Sequence, residues 1–282
     1  MNRKFFIQSL FLLGATPKSL FAKNTIMEQN NIRLLRHATL LINIGKIKMM
    51  VDPMLSAKDE MDPVQNCGND IRIPMVDLPV DKTALNKMLD EVDAVVITHT
   101  HRDHWDLAAQ NLINKNKLIF CQPSDAEKIR SQGFLNVKPI DTNIRLGEIT
   151  ISRTHGQHGT GEIGKKMGEV SDFVFSTGKK NIYVAGDTIW CRDVEDALNK
   201  YKPNVIVVNA GAAKFLSGDP ITMTPQDIIK VYEKSPKAKL IAVHMDAVNH
   251  CFVKRTDLQK AIFETKLLGK LLIPLDGEVI EL

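Results

Sequence analysis

The segment 94–106 constrains the fold of this chain more than any other part of its sequence. It opens with Ala94-Val95-Val96-Ile97, an apolar and mostly β-branched run that predicts a short buried strand. The residues that follow, 98–106, contain three histidines and two aspartates. Asp106 is placed to cap a helix, which the apolar spacing predicts over residues 107–115. The polar side chains therefore lie on a turn between a strand and a helix, where they can converge on one point.

Imidazole and carboxylate groups are the ligands that divalent cations such as zinc and manganese take in proteins. Because the cluster lies on a turn, its side chains can be divided between two neighbouring ions. The alternative is a solvated polar loop that contains histidines by coincidence. Three of the 8 histidines of the chain fall on this one turn, which favours a metal site. The candidate ligands are His99, His101, Asp103 and His104.

The order His-x-His-x-Asp-His after a buried strand resembles the metallo-β-lactamase superfamily. The resemblance extends over about residues 32–282, because further candidate ligands follow in the order that the superfamily requires. It implies an α/β fold, a four-layer αββα sandwich of two mixed β-sheets flanked by helices. Residues 23–282 would then form a single hydrolase domain.

The fourth ligand is expected in the glycine-rich stretch 155–161, where both His155 and His158 are candidates. Glycine lets the backbone turn sharply and approach an ion closely. The resemblance favours His158, because Gly156-Gln157-His158-Gly159 matches the Gly-x-His-Gly context of the lactonase-like branch.

Asp187 ends a predicted strand in a Gly-Asp-Thr sequence, and His244 ends another strand. A carboxylate can bridge two ions because its two oxygens carry about four lone-pair sites. True β-lactamases often have cysteine at the position of Asp187, so the aspartate argues against β-lactam hydrolysis. The resemblance implies that His99, His101 and His158 hold one ion, that Asp103, His104 and His244 hold the second, and that Asp187 bridges both.

The implied chemistry is hydrolysis by a hydroxide that two divalent ions share, zinc and manganese being the candidate metals. Asp103, His104 and Asp187 are then the catalytic residues. The expected substrate is a small polar ester-like molecule, either a lactone or a phosphorylated sugar derivative. A phosphodiesterase on the same scaffold and a non-catalytic metal-binding module are the alternatives.

Several residues outside the ligand set are candidates for supporting roles. Asp52 ends a strand, and the superfamily resemblance implies that it hydrogen-bonds near the site without binding metal. Arg36-His37-Ala38-Thr39 resembles the Gly-His-Ala/Ser start of the L-ascorbate-6-phosphate lactonase branch, with Arg36 at the place of the glycine. His37 is predicted to contact substrate, with a structural role as the alternative. His250 and Arg255 are predicted to face a substrate anion, although His250 could equally cap a surface turn.

Composition excludes one class of partner. The formal net charge is +4, aromatic residues make up 6% of the chain, and no basic run is present, which gives no indication of nucleic-acid binding. The predicted partner is therefore a small-molecule substrate. The oligomeric state cannot be predicted from these features.

Residues 1–22 have the basic, apolar and polar order of a secretory signal peptide. Their apolar core is shorter than the roughly 20 residues that span a bilayer, so no stable membrane anchor is expected. The prediction is an exported, periplasmic protein. The alternative is an amphipathic N-terminal helix on a cytoplasmic one.

Overall fold

Two seven-stranded β-sheets face each other across a layer of apolar side chains. This computed structural model describes residues 30–282 except Glu264, Lys266 and Leu268. The predicted signal peptide lies outside the described residues. The strands are β1 (Asn31–Arg36), β2 (Thr39–Ile44), β3 (Ile47–Val51), β4 (Ala94–Ile97), β5 (Leu118–Cys121), β6 (Val137–Pro139), β7 (Asn143–Leu146), β8 (Ile149–His155), β9 (Ser171–Ser176), β10 (Asn181–Val184), β11 (Val205–Asn209), β12 (Lys239–Val243), β13 (Leu271–Leu272) and β14 (Val279–Glu281).

Both sheets are mixed, as the sequence predicts. The first has the strand order β14-β1-β2-β3-β4-β5-β6, and its parallel part runs from β3 to β6. The second has the order β13-β12-β11-β10-β9-β8-β7, and its parallel part runs from β10 to β13. The layer between the sheets is built from alternate residues of the strands, such as Ile42, Val96, Phe175 and Val207.

Helices cover the outer face of each sheet, which completes the four-layer αββα sandwich. They are α1 (Lys82–Glu91), α2 (Leu107–Leu112), α3 (Ala126–Ser131), α4 (Gly161–Met167), α5 (Arg192–Tyr201), α6 (Pro225–Lys234) and α7 (Arg255–Ile262). Helices α1, α2 and α3 pack on the first sheet through buried residues such as Leu85 and Ile129. Helices α5, α6 and α7 pack on the second through Val194, Val231 and Leu258. None of the described helices has the length and apolar character needed to cross a bilayer.

Asp52 and most of the predicted ligands lie just beyond the carboxyl ends of parallel strands, whereas His158 follows the antiparallel strand β8. Asp52 follows β3, His99 follows β4, Asp187 follows β10 and His244 follows β12. Asp106 caps α2 as predicted, because its side chain accepts a hydrogen bond from the backbone N–H of Ala109. Parallel strand ends and the loops beyond them are where α/β folds place ligands.

The structure adds two elements that sequence patterns do not indicate. A tight turn at His37 and Ala38 separates β1 from β2 inside what reads as one apolar run. The end of the glycine-rich stretch forms α4, because Ile163 and Met167, four residues apart, pack against the same apolar cluster.

A long irregular segment between β3 and α1 is held in place by Arg36, which is fully buried. Its guanidinium donates to the backbone carbonyl oxygens of Met54 and Ser56 at 2.7 and 2.8 Å, and to that of Val76 at 3.0 Å. Arg36 therefore ties both ends of this segment to the first sheet.

Replacing Arg36 tests this attachment. Arg36→Met would leave three carbonyl oxygens without their donor, and hydrogen bonds to charged groups contribute about 1.5–3 kcal/mol each. We expect the free energy of unfolding, measured by urea denaturation, to fall by about 3 kcal/mol or more. The control Arg145→Met removes an exposed arginine from β7 and should change stability by no more than about 0.5 kcal/mol. Equal urea midpoints for the two variants would contradict the role of Arg36 in holding this segment.

Candidate metal centre and cavity

Two clusters of metal-type donor atoms lie side by side at the strand ends. In the first cluster, donor atoms of His99, His101 and His158 all lie within 4.8 Å of one another. Nδ1 of His101 is 3.3 Å from Nε2 of His158. Residue 155, the other candidate, extends away into solvent: the His155 side chain is 60% exposed and lies 4.0 Å from Glu169. The structure thus brings together the three histidines predicted for the first ion.

The second cluster contains Asp103, His104 and His244, as predicted, and also His37. The Nε2 atoms of His104 and His244 are 3.2 Å apart. Oδ2 of Asp103 lies 3.8 Å from the first of these atoms and 3.7 Å from the second.

Asp187 lies between the two clusters. Its Oδ2 is 3.3 Å from Nε2 of His104 and 3.6 Å from Nε2 of His158, while its Oδ1 is 3.1 Å from Nε2 of His244. Asn209 donates to that Oδ1 at 2.7 Å and fixes the carboxylate. The preceding Gly186 is required for this placement, because a Cβ there would lie 2.6 Å from the carbonyl oxygen of Ser171.

Asp52 supports one histidine of each cluster. Nδ1 of His104 donates to Oδ2 of Asp52 at 2.8 Å. The hydroxyl of Thr98 also donates to Oδ2, at 2.6 Å, so its oxygen accepts from Nδ1 of His99 at 3.0 Å. Both rings therefore carry their hydrogen on Nδ1 and present Nε2 to the clusters. Asp52 thus makes the hydrogen bond that the sequence predicts.

Two other histidines are oriented in the same way. Nδ1 of His158 donates to the carbonyl oxygen of Ile221 at 2.9 Å, and Nδ1 of His244 lies 3.5 Å from the sulfur of Cys251, its hydrogen-bond partner. Partners of this kind fix the tautomer and direction of metal-ligating imidazoles.

The donor atoms fit divalent cations. Nε2 of His99 is buried, and no hydrogen-bond partner is present for it among the described residues. Burial lowers the pKa of His158 to about 4, so this ring is neutral and its Nε2 also carries a lone pair. When neutral, the rings of His104 and His244 would direct two lone pairs at each other across 3.2 Å, which is unfavourable unless a proton or a metal ion lies there.

Without a metal ion, protons balance the charge of this centre. Burial disfavours a charged ring, but the carboxylates of Asp187, Asp103 and Asp52 raise the pKa of His104 to about 10. Burial also lowers the pKa of His244, but its charged neighbours, Asp187 most of all, raise that pKa well above its ordinary value. The same pairing holds the pKa values of Asp103 and Asp187 well below their usual range, although burial opposes this. A divalent ion must therefore displace protons from two histidines.

A cavity of about 480 Å³ opens above the centre. The residues that line it are Asp62, Pro63, Val64, Gln65, His101, Arg102, Asp103, His158, Met167, Asp187, Phe215, Ile221 and His250. The irregular segment between β3 and α1 supplies residues 62–65.

The structure brings one of the three predicted substrate contacts to this cavity. His250 lines it and is nearly buried. His37 does not line it, because its side chain is fully buried beneath Asp103 and His244. Arg255 does not line it either, because its guanidinium pairs with Asp246 and Asp276 at the start of α7.

Some residues of the site were not predicted because no local sequence motif marks them. Thr98 and Cys251 are adjacent to predicted residues, and their contacts depend on side-chain direction. Asn209 ends β11, and its position at a strand end was the available indication of a role. Phe215 lies on an irregular segment that no sequence pattern connects to the site.

Comparisons with known proteins agree with this geometry. A family model described as "Beta-lactamase superfamily domain" matches residues 64–245. The chain is 37% identical over 252 residues to the UPF0173 protein YddR of Bacillus subtilis, covering 88% of this chain and 98% of the relative. It is similar to the crystal structure of "a possible metal-dependent hydrolase" from Veillonella parvula, with 38% identity, a TM-score of 0.86, and coverage of 90% and 100%. It is also similar to isothiocyanate hydrolase from Delia radicum gut bacteria, with 36% identity, a TM-score of 0.84, and coverage of 89% and 98%.

Fold, donor clusters and relatives together define a metal-dependent hydrolase of the metallo-β-lactamase superfamily, as the sequence predicts. Within that superfamily the chain belongs to the UPF0173 family, whose more distant relatives are named metal-dependent hydrolases. The comparisons do not confirm the L-ascorbate-6-phosphate lactonase-like branch.

Replacing the two candidate histidines separately tests the first cluster. His158→Ala removes an imidazole from the cluster, and we expect the purified protein to retain about one ion fewer per chain than wild type. His155→Ala removes an exposed ring and should leave the metal content unchanged. Elemental analysis after dialysis measures both. Loss of metal from the His155 variant alone would reverse the assignment.

The protonated histidines predict how metal affinity depends on pH. Because the raised pKa of His104 keeps its proton in place below about pH 10, an ion binding at pH 6–9 must release that proton. Affinity should therefore rise with pH, by roughly tenfold per pH unit for each proton released. Calorimetry in buffers of different ionisation enthalpy measures the protons released. An affinity that is the same at pH 6 and pH 8 would contradict this charge balance.

Proposed function

We propose that the protein is a dinuclear metal hydrolase acting on a small uncharged molecule with one electrophilic carbon, isothiocyanates being the first candidates. The cavity carries this proposal. Metal-type donors form its base, whereas Val64, Met167, Phe215 and Ile221 give its sides an apolar character.

The distribution of charge argues against an anionic substrate such as a phosphorylated sugar. Two bound ions would offset the charges of Asp103 and Asp187, but outside the ligand set the cavity still presents the carboxylate of Asp62. Among the described residues that line it, Arg102 is the one lysine or arginine, and it is exposed. A phosphate needs charged or polar donors arranged around it. A lactone, which is uncharged, remains compatible with the cavity.

An isothiocyanate fits what the cavity offers. The group is linear and uncharged, and its central carbon is electrophilic. An apolar substituent on its nitrogen would pack against Phe215 and Met167, where burial of apolar surface contributes about 25 cal/mol per Å². The relative named isothiocyanate hydrolase covers nearly the whole chain at 36% identity, which supports a shared substrate class.

We assign the donor clusters as the sequence does. His99, His101 and His158 would hold one ion, Asp103, His104 and His244 the second, and Asp187 would contact both. Two such ions, once bound, would lower the pKa of a water molecule to near neutral and would place positive charge beside the electrophilic carbon.

The chain's own residues do the remaining work. Asp52 and Thr98 fix two imidazoles, so the donor atoms need little reorganisation. The carboxylate of Asp103 faces the cavity and can take the proton that water loses. His250 faces the same space, and its buried Nδ1 has no partner among the described residues. We assign it to hydrogen-bond a substrate heteroatom through its other nitrogen.

A substrate panel tests the proposal. Metal-loaded protein is assayed with an aralkyl isothiocyanate, an uncharged lactone, an aryl phosphodiester and a β-lactam. We expect the isothiocyanate to give the highest kcat/KM and the β-lactam the lowest. Asp187→Asn should lower kcat by about 100-fold or more, because it removes the negative charge shared by both clusters.

The matched control is Asp70→Asn, which makes the same change at an exposed site and should keep wild-type activity. A preference for the phosphodiester would favour the phosphodiesterase alternative. Inertness of the metal-loaded protein toward the whole panel would favour the non-catalytic module.

A further inference from the structure

His37 occupies an unusual position under the second cluster. Its side chain is fully buried, and its backbone has a φ of 58°, in the left-handed region that residues other than glycine rarely adopt. Its carbonyl oxygen accepts from the backbone N–H of His244 at 2.8 Å. Such a conformation costs about 1–3 kcal/mol and persists where the surroundings require it.

The ring of His37 contacts two predicted ligands of the second ion. Its Nε2 lies 3.2 Å from Oδ2 of Asp103. Its centroid is 3.6 Å from that of His244, with 36° between the planes. The ring therefore lies against the side of the cluster opposite the cavity, where it cannot contact substrate.

Hydrogen bonding at the far nitrogen separates His37 from the other histidines of the centre. Nδ1 of His99, of His104, of His158 and of His244 each has a hydrogen-bond partner. Nδ1 of His37 is buried, and the described residues offer it no partner.

This difference indicates which nitrogen of His37 carries the hydrogen. If Nε2 bound a metal ion, Nδ1 would carry a hydrogen and be a buried donor without an acceptor, which costs about 1–3 kcal/mol. If Nε2 carries the hydrogen, it can donate to Asp103, and Nδ1 is an acceptor whose lone pair is unused. The observed 3.2 Å separation fits this hydrogen bond.

We propose that His37 is a positioning residue that donates from Nε2 to Oδ2 of Asp103 and holds this carboxylate in the orientation the second ion requires. The inference rests on the proposed two-metal site. It predicts that loss of the donor weakens binding of the second ion and leaves the first, held by the other cluster, nearly unaffected.

Two variants of equal length isolate the hydrogen bond. In His37→Gln, the side-chain amide N–H can reach the place of Nε2 and still donate. In His37→Met, the side chain is equally long and unbranched but has no donor. Because both residues meet the same backbone conformation, any cost of the left-handed φ is common to them, and their difference reports the donor.

The measurement is calorimetric titration of metal-free protein with Co²⁺, together with X-ray absorption to count coordinated imidazoles. We expect His37→Met to weaken the second ion by at least about tenfold, as loss of a ligand's supporting partner does, and the first by less than about threefold. His37→Gln should restore the second affinity to within about threefold of wild type. The number of coordinated imidazoles should be the same in all three proteins.

Three results would overturn the proposal. They are wild-type binding of both ions by the methionine variant, equal loss of the second ion in both variants, and loss of one coordinated imidazole in both. Wild-type protein that binds fewer than two ions would instead contradict the proposed function, so the two failures are distinguishable.

Discussion

The buried carboxylate of Asp52 is the interaction on which the rest of the centre depends. It accepts from Thr98 through both backbone N–H and hydroxyl, and from Nδ1 of His104. Through the Thr98 hydroxyl it also sets the tautomer of His99. Its own backbone has a φ of 45°, and its N–H donates to Val96, which fixes the end of β3 against β4. Asp52 therefore links the pairing of β3 and β4 to the orientation of His99 and His104, one histidine from each cluster.

Charge explains why the rest of the centre is built around metal. Asp103 and Asp187 are buried together, and burying charge without a partner is costly. Raised pKa values at His104 and His244 show that protons can supply the balancing charge. A divalent ion bound here would satisfy the same carboxylates and could also use the buried lone pair of His99. Metal binding is therefore coupled both to proton release and to the stability of this end of the sandwich.

The sequence indicates most of the ligand clusters because the turn 98–106, Asp187 and His244 each follow a short apolar strand, and the carboxyl ends of parallel strands are where α/β folds place ligands. His158 instead follows the antiparallel strand β8, and its glycine-rich context indicated its role. The sequence predicts α/β layering from the same short apolar strands. It fails where side-chain direction decides. His37 and Arg255 are themselves predicted substrate contacts, yet the ring of His37 lies beneath the cluster and the side chain of Arg255 pairs with Asp246 and Asp276. No periodic pattern of apolar residues in the sequence predicts the turn at His37 or the apolar sides of the cavity.

The two parts of the site differ in what holds them. Donor atoms come from strand ends and from the short turns that follow them, whose positions are fixed by sheet hydrogen bonds and by buried partners such as Asp52. The cavity sides come from irregular segments: Val64 is tied to Asn249 by hydrogen bonds in both directions, and Phe215 lies on a loop beside His250. Loops tolerate substitution better than the elements they connect. The same donor set can therefore be kept while the loop residues that would contact substrate, such as Val64 and Phe215, change.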